Sequence, residues 1–156
     1  MQLDTNSTFN RRIIDFSGYG YKDLQVLGRY NYNRSQDKLS SHVHEGMIEI
    51  CYYDKGIQYF EVSGKQYLVK GGEVFIHFPD EVHGSGGHSE GKGTLYWLII
   101  KINKTNQDNL YVLCNQLIEK NRRHFKGGKE LKKKLEDIYA AIDREEDKTI
   151  KKSVYI

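Results

Sequence analysis

The chain has 156 residues, 38% of them hydrophobic, with twelve Tyr, six Phe and one Trp, enough for one domain with its own core plus a small appendage. Its 24 Lys and Arg against 21 Asp and Glu leave +3, too mild and too interspersed for the body to bind nucleic acid or a membrane surface by charge. With no basic-then-apolar leader, no run near the ~18 apolar residues of a membrane span and no motif joining Cys51 to Cys114, the expectation is a cytoplasmic chain without membrane partners or a disulfide framework.

In chain order, residues 1–23 are polar and irregular around a small Ile13, Ile14, Phe16 cluster, and they read as an N-terminal arm. Residues 24–103 carry strand signals. The expected strands are Leu24–Tyr32, Met47–Tyr53, Ile57–Val62, Gln66–Val69, Glu73–His77 and Thr94–Lys101. Turn tokens such as Ser63-Gly64-Lys65 and Lys70-Gly71-Gly72 separate them, which indicates antiparallel hairpins in a mainly β sandwich or barrel. After Lys101 the period becomes helical. Leu110, Leu113, Cys114, Leu117 and Ile118 form one stripe, and Leu131, Leu135, Ile138 and Ile142 form another beyond Lys126-Gly127-Gly128. Residues 104–147 thus read as an antiparallel helical hairpin and residues 148–156 as a charged tail.

The chemistry concentrates in one pattern. His42-Val43-His44 is followed after four residues by Glu49 and after six more by Gly56, and His83 comes just past Pro79, the only proline. On a strand His42 and His44 share a face, and Glu49, of opposite parity, joins them if Glu45-Gly46 makes a turn. Three imidazoles and a carboxylate offer a first-row divalent ion (Zn, Ni, Mn or Fe) most of its coordination shell. The same four side chains suit hydrogen bonding to a polyhydroxylated ligand, or a purely structural polar network. Tyr96 and Trp97 are adjacent and opposite-facing, so one should line the pocket and the other the outer core. An aromatic face beside polar groups is what a sugar ring stacks on. His77 is expected on the face opposite Val74 and Ile76, His88 in a solvated glycine-rich loop, and His124 at a helix C-terminus.

These residues carry a resemblance. His-x-His, four residues, Glu, six residues, Gly is similar to the first cupin motif. Gly72, six residues, Pro79, three residues, His83 resembles a shortened second one, with Glu81 where that motif has glycine. Residues 42–100, with the helices that follow, resemble the N-terminal effector-binding domain of AraC-type transcription regulators. The resemblance implies a cupin-like jelly-roll barrel and a small-molecule effector, with a carbohydrate expected. It implies ligand contacts at His42, His44, Glu49, His83, Tyr96 and Trp97, and no required cofactor. It also implies a homodimer formed through the helical hairpin, and DNA contacted only by a C-terminal helix-turn-helix domain that is not in this sequence. The competing expectation is a metal-dependent cupin enzyme, an isomerase or dioxygenase, holding its ion with His42, His44, Glu49 and His83.

Overall fold

A computed structural model describes residues 3–105 and 107–154, the last eight as backbone only. The chain divides into two compact units, Met1–Lys126 and Gly127–Ile156. The strands of the first pair antiparallel: β1 (Arg11–Asp15), β2 (Leu24–Tyr32), β3 (Met47–Val62), β4 (Lys65–Lys70), β5 (Glu73–His77), β6 (His83–Gly84), β7 (Gly93–Lys101) and β8 (His124–Lys126). Helix α1 (Asn109–Glu119) lies between β7 and β8, and helix α2 (Lys129–Val154) forms the second unit. The expected class, a mainly β body followed by helices, is what the chain forms.

The main sheet runs β1-β2-β7-β3-β5-β8, with β4 and β6 attached to β3. The separate strands expected at Met47–Tyr53 and Ile57–Val62 are one 16-residue strand. Its first part pairs with β5 and β7 and its last part with β4 and β6, and the β7 register shifts between Tyr53 and Lys55. Gly56 sits at that change with φ +100°, where a Cβ would also run into the Lys92 carbonyl. The token Asp54-Lys55-Gly56 therefore bends a strand instead of ending it.

Alternation sorts the side chains of β3 into two cores. Cys51, Tyr53, Phe60 and Val62 point inward, packing with Val69, Phe75, Leu95, Trp97 and Ile99. Ile48 and Ile50 point outward and meet Val74, Ile76, Ile100 and helix α1 through Leu110, Tyr111, Cys114 and Leu117. Leu113 and Ile118, the remaining members of the expected stripe, are exposed. Asp108 caps α1, its carboxylate accepting from the Leu110 and Tyr111 N–H groups.

The structure departs from expectation after Glu119. A short strand, β8, pairs with β5 before Gly127, so His124 is a strand residue whose Nε2 lies 2.8 Å from Glu73 Oε2, and not a helix C-terminal residue. Single-turn helical periodicity and a three-residue edge strand are indistinguishable in so short a segment. Helix α2 does not stop at 147, where a tail was expected, but continues to Val154; residues 155 and 156 lie outside the described residues. Its first half carries the ion pairs Lys132–Glu136 and Lys133–Asp137, which pair two members of the Lys132-Lys133-Lys134 run along the helix.

Gly28 of β2 lies opposite Trp97 of β7, and a Cβ there would overlap the indole ring. Gly28→Ala is expected to lower stability by about 1–3 kcal/mol through overpacking. Because Trp97 is the only indole, its emission should shift in the folded variant, and unchanged emission together with unchanged stability would contradict this packing.

Candidate functional site

The four residues singled out in the sequence converge, although His42 and His44 are not on a regular strand. His42 makes an isolated bridge with His83, each backbone N–H donating to the other's carbonyl at 2.8 and 2.9 Å. A turn at Glu45-Gly46, with Gly46 at φ +64°, then reverses parity so that Glu49 faces the same interior. The Asp80 carboxylate accepts from the Gly46 N–H at 2.9 Å, tying this turn to the segment that leads to His83.

Glu49 is the hub. Its Oε2 lies 2.8 Å from His77 Nδ1 and 3.2 Å from His83 Nε2, and its Oε1 lies 3.9 Å from His44 Nε2. The two short approaches lack aligned N–H···O geometry, so both His77 nitrogens and His83 Nε2 are without a hydrogen bond among the described residues. The His77 and His83 rings stack at 4.1 Å, and those of His42 and His83 are 4.3 Å apart.

His77 was not among the expected site residues. It does lie opposite Ile76, but that face is the interior one, shared with Phe75 and paired across the ladder with Glu49. The signal was the shared parity of Phe75 and His77; the missing information was which face closes inward. Tyr96 and Trp97 split as alternation requires. Trp97 lines the cavity, whereas Tyr96 faces the outer side, its ring 6.3 Å from that of Tyr52. His88 is not free in its loop but stacks on Tyr59 at 4.0 Å.

Protonation follows from burial and from Glu49. Burial opposes the Glu49 charge, yet His77 and His83 outweigh it and hold the carboxyl well below the usual range. Burial also works against a charged His83, but Glu49 overrides it and raises that imidazole. Burial prevails at His77, which is lowered, and at His44, which is pushed down to about 4 against the pull of Glu49. Glu49 is thus held ionised, with His83 biased toward its charged form and His44 and His77 toward their neutral forms.

The cluster can hold a cation. One donor atom each from His42, His44 and His83, and likewise from Glu49, His77 and His83, fall within 4.8 Å of one another. Ligands at about 2.0–2.2 Å from one ion sit about 3–4 Å apart, so modest closure suffices. The orientation also fits. His42 Nδ1 is 2.8 Å from the Ser40 carbonyl and His83 Nδ1 is 3.0 Å from the Glu81 carbonyl. Carbonyls at those nitrogens fix the Nδ1–H tautomer and leave Nε2 as the donor, the usual support for a metal-bound histidine.

Above the cluster opens a cavity of about 600 Å³. His42, His44 and Glu49 form its polar floor, Trp97, Tyr30 and Phe60 its aromatic wall, and Arg11 and Glu90 contribute charge. This volume is in the range of small-molecule sites.

Against known proteins, a family model described as the AraC-like ligand binding domain matches residues 26–151. No curated protein sequence matches the chain. Among solved structures it is similar to a predicted oxalate decarboxylase from Thermotoga maritima (21% identity, TM-score 0.45, 59% of this chain and 81% of that one). It is also similar to KdgF from a Halomonas species (20%, TM-score 0.43, 60% and 78%) and to a cupin protein from Bacteroides fragilis (12%, TM-score 0.45, 67% and 86%).

In chelator, stability should fall as pH drops from 6.5 toward 4. The unfolded His44 takes up a proton near its ordinary value of 6.5, while the folded one resists to about 4. His77 acts in the same sense, His83 in the opposite one, and the Glu49 contribution is lost only further into acid. His44→Gln should flatten this loss by about 2 kcal/mol, measured by urea unfolding at pH 7 and pH 4.5. An unchanged slope would contradict a buried neutral His44.

Proposed function

The chain belongs to the family of AraC-like ligand-binding domains, and from that premise we propose that it is the effector-sensing domain of a transcription regulator. The observation that carries this reading is the cavity itself. A sugar-sized space is lined by Trp97 together with His42, His44 and Glu49. Carbohydrates need both, stacking their C–H surface on the ring while hydroxyls bond the polar groups. A carbohydrate or related metabolite is therefore the effector class we infer, with His42, His44, Glu49, His83 and Trp97 as its contacts or their support.

In this reading the effector biases the domain between two arrangements, which requires different affinity for each. The output is DNA binding by a C-terminal segment outside this sequence, and helices α1 and α2 supply a homodimer contact. The cytoplasm is the compartment proposed, in keeping with two free, buried thiols and with the absence, among the described residues, of any helix long and apolar enough to cross a membrane.

A second reading has its own support in the carbonyl-fixed Nδ1 atoms of His42 and His83. His83 then has Nε2 3.2 Å from Glu49 Oε2, the kind of arrangement a metal-dependent cupin enzyme would use. There His42, His44, His83 and Glu49 would hold the ion, and the ion would supply Lewis acidity to a bound substrate.

A thermal-shift screen of the protein against sugars and sugar acids, with and without Zn²⁺, Ni²⁺, Mn²⁺ and Fe²⁺, tests both. The sensor reading expects Tm to rise with a sugar-class compound in chelator, by about 2–3 kcal/mol of stabilisation at 100-fold excess over Kd. His42→Ala should abolish that rise. Stoichiometric metal in protein purified without chelator, together with ligand binding only when the metal is present, would favour the enzyme.

A further inference from the structure

The cavity holds a carboxylate that neither reading uses. Glu90 lines the wall that also bears Tyr30 and Trp97, and its backbone is fixed on both sides. The Gln36 N–H donates to the Glu90 carbonyl at 3.0 Å, the Glu90 N–H to the Asp37 carbonyl at 3.4 Å, and the Gly91 N–H to Gln58 Oε1 at 2.8 Å. Other acids around the core have partners: Glu49 has His77 and His83, Glu81 has Arg123 at 2.7 Å twice over, and Glu73 has His124. Among the described residues nothing donates a hydrogen bond to the Glu90 carboxylate or forms an ion pair with it. Burial pushes its carboxyl up to about 6, with the Arg11 charge pulling in the other direction and Glu49 adding a little to the rise.

The cations of the cavity are committed or solvated. Arg11 Nη1 is 2.7 Å from Asp4 Oδ2, and its guanidinium lies 5.3 Å from the Trp97 ring. Lys38 is exposed at the rim. The wall as a whole carries four carboxylates (Asp4, Asp37, Glu49 and Glu90) against two cations (Arg11 and Lys38). A half-buried carboxylate left without a donor is costly in a folded chain unless a ligand completes it. Aromatic faces beside it add cation–π attraction. On the reading of the cavity as the ligand site, we propose that the effector carries a protonated amine that pairs with Glu90, so that an amino sugar fits better than a neutral or acidic one.

The test is a thermal-shift and calorimetric comparison of wild type with Glu90→Gln at pH 7.5. The probes are glucose, glucosamine, N-acetylglucosamine and glucuronate, and phenethylamine beside phenylacetate. Amine-bearing probes are expected to raise the wild-type Tm while their neutral and acidic counterparts do not. Glu90→Gln should weaken the amine hits by about 10- to 100-fold, the loss of one charge-assisted hydrogen bond. The unliganded variant should melt at the same or a higher temperature than wild type, because the carboxylate it removes has no partner in the chain. Hits confined to neutral or acidic probes, amine hits that Glu90→Gln leaves intact, or a lowered Tm in the unliganded variant would each overturn the role of Glu90 and leave the cavity as a ligand site. A panel in which nothing binds would contradict the ligand site and the inference together.

Discussion

The Glu49 carboxylate, ionised inside a β barrel, is the constraint on which the rest of the site depends. A buried charge is tolerated only when neighbours compensate it, and removing a partner from such a pair typically costs about 3–5 kcal/mol. Here the compensation comes from His77 of β5 and His83 of β6, with His44 3.9 Å away on a third segment that also carries the bridge residue His42. They are not equivalent. His83 shares the charge, His77 backs it, and His42 and His44 turn their rings to the cavity. Folding and site assembly are therefore one event, since the strands cannot close without gathering the cluster.

Strand β3 makes that gathering possible. Its register sets Glu49 opposite both His77 and Ile99, and Cys51 opposite both Phe75 and Trp97. The floor and the wall of the cavity are thus successive inward positions of one strand and its two neighbours. A slip of one residue would turn Glu49 and Cys51 outward onto α1 and bring Ile48 and Ile50 into the cavity. The outer core with Ile76, Ile100, Leu110 and Cys114 guards against that slip by demanding apolar residues at the alternate positions.

Much of this was legible in the sequence, for identifiable reasons. Strands β2 and β5 matched their expected limits because alternating apolar residues between turn tokens have one economical interpretation. His42, His44, Glu49 and His83 could be assembled because their spacing resembles a known motif and Gly46 offered the needed turn. His77 could not be placed, because alternation gives two faces without saying which one closes. Strand β8 was hidden by its length, and the continuity of β3 by a glycine token that usually marks a turn. Glu90 lies in a segment without periodicity, so only the three-dimensional structure brings it to the wall.

Trp97 gives the most direct test of the central claim that this cavity is where a small molecule binds. It is the only indole in the chain and it lines the cavity. Its emission should change saturably as a compound that raises Tm is titrated in, with a midpoint equal to the calorimetric Kd, and the change should vanish in His44→Ala. A compound that binds and stabilises the chain while leaving Trp97 emission untouched would place the ligand elsewhere and contradict the account.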